Sequence, residues 1–287
     1  MRVPNEFIAT KKAKKRKENH ERFGGDFVDG VKNDHGGPVG QNGDFGLGGP
    51  GEDEGQAVKG EKAQKVDDGD EAFATALGES TNAVNILQIT ERREQDFVST
   101  TLSQPLSPYR QVLDGIGITS FIRDEDAVVR SLQAFDSYNN LLYYNWAFET
   151  AKLYLGTDSP TNPTNTSLQF NGQSVPLSGG QLIVNYAGRA NTYLTYSAAS
   201  VALGDVLEQN PDAFRDKIVL IGATTVTLQD IYPTPFSSQI PTAGVEIVAN
   251  AIDTIINGKY ITLAPPWMVL LIILGMALIA YLITLSK

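Results

Sequence analysis

This 287-residue chain has few of the side chains that most often carry chemistry: it contains no cysteine and only two histidines. The absence of cysteine excludes disulfides, thiolate catalysis and cysteine-ligated zinc. His20 and His35 both lie in a segment that does not read as a folded domain, so the domain has no histidine for a catalytic triad or a metal site. We therefore expect a protein that is not an enzyme and that uses no metal and no cofactor.

Positive charge is scarce after the N-terminal segment. Residues 66–287 contain 11 lysines and arginines against 22 aspartates and glutamates, whereas residues 1–65 contain 12 against 11. A phosphate backbone requires a basic surface, so the acidic part of the chain predicts no nucleic-acid partner. The strand-like run at 217–222 ends in glycine, as phosphate loops often begin. However, no second glycine precedes Asp230, and no G-x-G-x-x-G or G-K-[ST] motif is present.

The first 66 residues combine few apolar side chains with many glycines. Of the chain's 27 glycines, 13 lie between Phe23 and Gly60. Too little apolar surface is available there to offset the entropy of ordering the backbone. We predict that residues 1–66 form a disordered segment. The basic run at 11–17, KKAKKRK, is interpreted as part of this tail, with a patch for nucleic acid or anionic lipid as the alternative.

One long segment near the C-terminus carries no charge. Residues 264–285 are almost entirely apolar, and about 20 such residues in a helix match the ~30 Å hydrocarbon core of a bilayer. Pro265 and Pro266 suit a helix start, and Trp267 and Tyr281 lie near the two ends, as interfacial anchors do. We predict a transmembrane helix over 263–286 that anchors the chain in the inner (plasma) membrane. A buried core helix is the alternative.

Between these segments, residues 67–262 alternate helix-like and strand-like patterns. Helices are predicted from Asp70 to 78, over 143–155, from Ser197 toward Leu203 and over 244–258; strands are predicted at 83–90, 115–121, 128–135, 182–186 and 217–222, with a hairpin turn at Asn171-Gly172. The fold class is therefore α/β, in the sense of a mixed α+β domain. Asp124 and Asp126 are interpreted as turn residues that pair with Arg130, and a metal or acid–base cluster is the alternative.

Polar residues follow the ends of two predicted strands. Ligands gather beyond the C-terminal ends of strands in open α/β sheets, and Arg189 and Asp230 follow the strands that end at 186 and 222. Together with Asn185 and Asn250 they form the predicted ligand-binding site. The alternative is architectural: the two asparagines would hydrogen-bond buried backbone, and Asp230 would fix the turn at 233–235.

Five strings, taken in order, resemble the CHASE2 domain, the extracytoplasmic sensory domain of bacterial transmembrane receptors. They are DEDAVVR at 124–130, LIVNYAG at 182–188, DKIVLIGAT at 216–224, DIYPTP at 230–235 and GVEIVANAID at 244–253. The resemblance covers residues 67–262. Val248 stands where the family usually has histidine, and Ala127 replaces the turn glycine. The resemblance also implies an N-terminal membrane helix and a first strand–helix unit, and a glycine-rich segment stands in their place.

The resemblance implies a sensory, signal-input domain outside the cytoplasm, in a receptor whose output domain is absent from this chain. The expected partners are the lipid bilayer and an unidentified small-molecule ligand, and a second copy in a homodimer is a further candidate. The alternative is a membrane-tethered scaffold or dimerisation module with no small ligand. A cavity lined by polar side chains near Asn185, Arg189 and Asp230 would favour the sensor, and an exposed apolar patch on a solid core would favour the scaffold.

Overall fold

The computed structural model describes residues 68–80, 82–93, 98–237 and 240–285. The predicted disorder of residues 1–66 falls outside them. The described helices are α1 (Asp68–Glu79), α2 (Ser107–Arg110), α3 (Trp146–Leu155), α4 (Ala198–Ala202), α5 (Asp205–Gln209), α6 (Gly244–Asn257) and α7 (Pro266–Leu285). The strands are β1 (Val84–Arg93), β2 (Val98–Ser103), β3 (Gly115–Ile118), β4 (Phe121–Arg123), β5 (Val129–Gln133), β6 (Phe135–Tyr138), β7 (Leu141–Tyr144), β8 (Ser167–Phe170), β9 (Gln173–Pro176), β10 (Gln181–Ile183), β11 (Ile231–Tyr232) and β12 (Thr242–Ala243).

Two three-stranded sheets form the framework. In the first, with the order β2-β1-β3, β1 pairs antiparallel with β2 and parallel with β3. In the second, with the order β10-β5-β4, both pairings are antiparallel. Three two-stranded ladders, β6-β7, β8-β9 and β11-β12, complete the strand pairing among the described residues. Parallel and antiparallel strands combined with helices confirm the predicted mixed α/β class.

The main hydrophobic core holds helix α6 against α3 and the second sheet. Apolar residues recur along α6 at helical spacing, and Ile247 and Ile252 are completely buried. Phe148 of α3 is also completely buried, and its ring meets that of Phe170 edge to face with the centroids 5.5 Å apart. The last helix before the apolar segment is therefore fixed by packing along its length.

Local turn and cap signals form where the sequence predicts them. The β8–β9 hairpin turns at Asn171 and Gly172, whose φ angles of 48° and 73° are the left-handed pair that a two-residue hairpin prefers. Helix α3 ends at Gly156 and α6 at Gly258, each with φ of 62°, and the N–H groups of these glycines bond carbonyls of the last turn. The hairpin turn predicted at Asn171-Gly172 is confirmed, and both helices end where a glycine adopts the left-handed conformation.

The helix predicted over 143–155 begins later than expected. Its first two residues belong to β7, and α3 starts at Trp146. Asn145 fixes this boundary, because its Oδ1 accepts from the N–H of Ala147 (3.1 Å) while its Nδ2 donates to the carbonyl of Gln133 (2.9 Å). The apolar residues of the sequence recur at helical spacing through the end of β7, the capping residue and α3. Periodicity alone therefore does not show where the strand ends and the helix begins.

The strand predicted at 217–222 is wrong, because this segment pairs with no described strand. Successive side chains of the segment are nevertheless alternately buried and exposed. Ile218 and Leu220 pack against the core, whereas Val219 and Ile221 are 52% and 89% exposed. A strand forms only beside a neighbour that takes its hydrogen bonds. The segment therefore has the side-chain pattern of a strand without a partner.

Among the described residues, one helix is long and apolar enough to cross a membrane, and it is α7. No residue of α7 is buried, which contradicts the alternative of a core helix. Leu274 and Ile279, near its middle, are 56% and 59% exposed. An uncovered apolar surface of this size is unfavourable in water and favours lipid around the helix.

Candidate functional site

Three of the four predicted ligand-binding residues lie along helix α6, and the fourth does not. Asn250 is part of the helix and is 2% exposed, Asn185 lies beside its C-terminal half, and Asp230 lies at its N-terminus. Arg189 is exposed, and its carbonyl accepts the hydroxyl of Thr192 in a turn. Of the four, only Asp230 lines the large cavity described below.

Helix α6 presents three polar side chains at intervals of four residues: Glu246, Asn250 and Thr254. We call them the polar stripe, because residues four apart lie on one face of a helix. Asn250 and Thr254 are buried, and buried polar atoms need hydrogen-bond partners. The partners of the polar stripe are main-chain N–H groups of the segment 185–192.

The buried half of the polar stripe bonds the start of that segment. The N–H of Asn185 donates to Oγ1 of Thr254 (3.0 Å), and the N–H of Ala187 donates to Oδ1 of Asn250 (2.8 Å). The hydroxyl of Tyr193 donates to the same Oδ1 (3.3 Å). The side chain of Asn250 therefore bonds main chain in the interior, as the architectural alternative expects, whereas the bond of Asn185 to Thr254 is made by its main-chain N–H.

Glu246 completes the polar stripe near the N-terminus of the helix. Its two carboxylate oxygens accept from the N–H groups of Asn191 (2.9 Å) and Thr192 (2.8 Å). The segment 185–192 thus runs along α6 in the opposite direction. The strand predicted over 182–186 ends at Ile183, although the N–H of Val184 still donates to the carbonyl of Arg130 in β5 (2.9 Å). After Val184, the N–H groups of Asn185 and Ala187 bond side chains of α6 instead.

Asn185 also reaches the far end of the helix. Its Nδ2 donates to the carbonyl of Lys259 (3.0 Å), one residue beyond the capping Gly258. The chain then continues through 260–265 to α7. The segment 185–192 therefore contacts α6 from its first turn to the start of the connection to the apolar helix.

Sequence reasoning missed Glu246, Thr254 and Tyr193. The spacing E-x3-N-x3-T was visible, and it places three hydrogen-bonding side chains on one helical face that is otherwise apolar. What the sequence does not show is the partner, because backbone N–H groups of an irregular segment carry no side-chain signature.

Asp230 joins the β11 strand to the start of α6. Its carbonyl accepts the N–H of Gly244 (2.9 Å), and a Cβ on Gly244 would lie only 2.5 Å from its Oδ1. A glycine is therefore required for the carboxylate to lie against the helix N-terminus, where the helix dipole favours a negative charge. Burial raises the pKa of Tyr232, and a hydrogen bond with Asp230 adds to this, while Arg123, 5.0 Å from the ring centre, opposes it.

A cavity of about 1830 Å³ lies beside this group. Its wall combines the polar residues Arg123, Asp230 and Tyr232 with apolar residues of β1, α3 and the segment 217–222. The side-chain Nε1 of Trp146, another lining residue, is buried and has no hydrogen-bond partner among the described residues. The cavity supplies both apolar contact area and groups that can orient a ligand.

The turn at 124–126 forms as predicted. Arg130 donates to Asp124 (2.6 Å) and to both oxygens of Asp126 (2.9 and 2.8 Å). The hydrogen bonds with Arg130 lower the pKa of Asp126 to about 2. The prediction of turn residues that pair with Arg130 is confirmed.

The partly buried side chain of Asp253, on α6, should make the stability of the domain depend on pH. Burial raises its pKa, against the opposing effects of Lys259 and Asn257. The folded state holds this proton more tightly than the unfolded state, so this contribution to stability falls as the pH rises from about 4 through the folded pKa. Replacing Asp253 by Asn should flatten the pH dependence of unfolding above pH ~4, measured by denaturant titration.

The control for Asp253→Asn is Glu208→Gln, which removes an equal charge from an exposed position on α5. It should leave the slope of stability against pH unchanged in that window. If Asp253→Asn and Glu208→Gln give the same slope as the parent chain, the burial of Asp253 has no energetic consequence and the prediction is wrong.

The family model of the CHASE2 domain matches residues 44–282. The match includes the cavity, the polar stripe and most of α7. Comparisons with curated proteins and with solved structures gave no match.

Proposed function

We propose that this chain, which belongs to the CHASE2 family, is the extracytoplasmic sensory domain of a membrane-anchored bacterial signal-transduction receptor. CHASE2 domains are sensory domains of receptors, so a signal-input role follows from family membership. Membrane anchoring is supported by α7, which is apolar, uncovered and long enough to span a bilayer. The proposed role is binding and transmission rather than catalysis.

The observation that carries the proposal is the position of helix α6. Its first residue, Gly244, contacts Asp230 in the cavity wall, and its C-terminal end leads through 259–265 into α7. The helix has 14 residues and is therefore about 21 Å long. Because it is packed and hydrogen-bonded along its length, a displacement at the cavity end reaches the membrane end.

Signalling requires two arrangements of α6 that bind the ligand with different affinity. The proposed ligand is a small molecule held at the Asp230 end of the cavity, where Arg123 and Tyr232 supply further polar groups. Asn185 and Asn250 then act by fixing the helix to the segment that carries Arg189. Of the predicted site, Asp230 thus contacts the ligand, whereas Asn185 and Asn250 position the helix.

A scaffold without a small ligand is the second candidate. It is favoured by exposed apolar side chains in and around the α4–α5 pair, of which Leu194 and Leu203 are 79% and 78% exposed. Such a surface suits contact with a second copy or with lipid. The two candidates differ in whether a small molecule stabilises the purified chain.

The test compares Asp230→Asn with Asn250→Ala in the full chain, purified in nanodiscs and melted with a panel of amino acids, sugars and organic acids. Asn250→Ala leaves buried N–H and O–H donors without acceptors, so we expect it to lose about 1–3 kcal/mol of stability. Asp230→Asn removes a charge that the helix dipole favours, so it should melt within about 1 kcal/mol of the parent chain, but it should lose the stabilisation that a bound compound gives the parent.

Asn257→Ala is the control, because Asn257 is exposed and its side chain bonds only Asp253. It should melt like the parent chain. If Asp230→Asn is as unstable as Asn250→Ala, Asp230 is architectural and the proposed ligand position is wrong. If no compound stabilises the parent chain, the scaffold is favoured over the sensor.

A further inference from the structure

One part of the domain carries no charge. Residues 159–188, between Asp158 and Arg189, contain no lysine, arginine, histidine, aspartate or glutamate, although charged residues make up 20% of the chain. We call these residues the uncharged stretch. It includes the strands β8, β9 and β10. The stretch therefore contributes nothing to the net negative charge of the domain.

The uncharged stretch meets the connection from α6 to α7. A Cβ on Gly258 would lie 3.2 Å from Oε1 of Gln173 in β9. Farther along, a small cavity of about 140 Å³ lies between the β9–β10 turn and the connection. Its described lining residues come from 176–178, from Ile183 and from 261–263, and all of them are uncharged.

Exposed apolar side chains border this small cavity. Ile261 and Leu263 are 41% and 68% exposed. With about 140 Å³, the cavity is also smaller than the ~300–1,000 Å³ of pockets that enclose small molecules. The surface around it therefore suits contact with a larger apolar or weakly polar surface better than it suits enclosure of a ligand.

The connection to α7 fixes where this surface lies. The 20 residues of α7 match the ~30 Å hydrocarbon core of a bilayer, so Pro266 lies at the boundary between hydrocarbon and headgroups. Leu263 is three residues earlier and hence at most about 11 Å away. Each headgroup layer is roughly 5–8 Å thick. Leu263 and the residues that share the small cavity with it therefore lie in this layer or close to it.

We propose that residues 176–178, Ile183 and 261–263 form a membrane face, on which the domain rests against the bilayer that α7 spans. The inference rests on the membrane anchor of the proposed function. It adds a second contact with the same bilayer, made by strands far earlier in the chain than α7.

The chemistry of the membrane face fits the headgroup layer. Its apolar side chains enter the boundary between headgroups and acyl chains. A carboxylate would lose hydration there at a high cost in free energy, and the uncharged stretch supplies none. Because the face has no charge, the contact should need no anionic lipid and should persist in high salt.

The test measures how close single fluorophores lie to lipid groups, with the full chain in phosphatidylcholine nanodiscs. The chain contains no cysteine, so Ser178→Cys places one label in the membrane face and Leu274→Cys places one in the middle of α7. Lipids with a nitroxide on the headgroup should quench the label at 178. Lipids with a nitroxide at the end of the acyl chain should quench the label at 274.

Glu125→Cys is the matched control for the label at 178, because residue 125 is exposed in the turn at the other end of the β4–β5 hairpin. Strand β5 runs from Val129, beside this turn, to Gln133, which pairs with Gln181 near the membrane face. Four residues of strand separate these ends by about 13 Å. Headgroup nitroxides should quench the label at 178 about twofold or more above the label at 125.

A pair of charge variants tests the contact itself. Ile261→Glu combined with Leu263→Glu places two carboxylates in the membrane face and should lower quenching at 178 by about twofold or more. The control is Leu194→Glu combined with Leu203→Glu, which adds the same charge at apolar positions that are 79% and 78% exposed. This control should leave quenching at 178 unchanged.

The other results separate this inference from the anchor on which it rests. If acyl-chain nitroxides do not quench the label at 274, α7 is outside the bilayer, and the anchor fails together with the membrane face. If they do quench it but the labels at 178 and 125 respond equally, the anchor stands and the membrane face is wrong. Loss of quenching at 178 in high salt, or an equal effect of the two glutamate pairs, would also contradict the membrane face.

Discussion

Replacing Ile272 and Leu278 together by arginine should release the chain from the membrane fraction. Both positions lie in the middle third of α7, where an arginine costs roughly 2.5–3.5 kcal/mol on insertion scales. Two of them oppose insertion by about 5–7 kcal/mol, which is enough to reverse it. The measurement is the distribution of the chain between pellet and supernatant after carbonate extraction.

The matched control is the pair Ile272→Leu and Leu278→Ile, which keeps the helix apolar and should stay in the pellet. Extraction of the arginine variant together with retention of this control would support α7 as the anchor. If the arginine variant remains in the pellet after extraction, another part of the chain holds it in the membrane and the anchor is wrongly assigned.

Gly117→Ala should destabilise the domain by about 3 kcal/mol or more, at the upper end of the usual range for overpacking. A Cβ at Gly117 would lie 2.4 Å from Cα and 2.5 Å from N of Trp146. These are backbone atoms at the start of α3, held in place by the cap at Asn145. Since neither main chain can yield without breaking that cap, β3 and α3 must separate. Denaturant unfolding of the full chain measures the loss.

Gly78→Ala is the control for Gly117→Ala. Its added Cβ would meet only side-chain atoms of Val112, Cγ1 at 3.2 Å and Cβ at 3.5 Å. Val112 lies outside the helices and strands, where it can shift by a few tenths of an ångström, and alanine is a better helix former than glycine. We expect Gly78→Ala to unfold at the same denaturant concentration as the parent chain or higher. Equal stability of the two variants would mean that β3 and α3 do not approach as closely as described.

Elements with local signals could be predicted from the sequence. The hairpin needed only Asn171-Gly172, helices α3 and α6 ended at glycines that adopt the left-handed conformation, and α7 was marked by its length without charge. In each case the information lies within a few residues of the feature that it determines. The family could also be recognised from the sequence, because five short strings typical of it occur in the expected order.

Features that depend on distant neighbours could not be predicted. The run 217–222 has the composition of a buried strand, yet strand pairing depends on what lies beside it. The start of α3 depends on a hydrogen bond from Asn145 to Gln133, 12 residues earlier in the chain. Periodicity carries no information about either contact.

The candidate site, too, combines features that the sequence predicts with contacts that only the structure shows. The sequence placed Asp230 beyond a strand end, and the structure puts it in the wall of a large cavity. The sequence also singled out Asn185 and Asn250, but their partners become visible only in three dimensions: the carbonyl of Lys259, just beyond α6, for Asn185 and the N–H of Ala187 for Asn250. That these two residues bind a ligand directly stays a prediction.

The central claim, a sensory domain outside the cytoplasm on a membrane anchor, is tested most directly by thiol labelling. The chain contains no cysteine, so Gln209→Cys, on the exposed end of α5, and Lys287→Cys, beyond α7, each provide a single thiol. In intact bacterial spheroplasts, a membrane-impermeant maleimide should label Gln209→Cys but should label Lys287→Cys only after permeabilisation. The opposite pattern would place the domain in the cytoplasm and contradict the account.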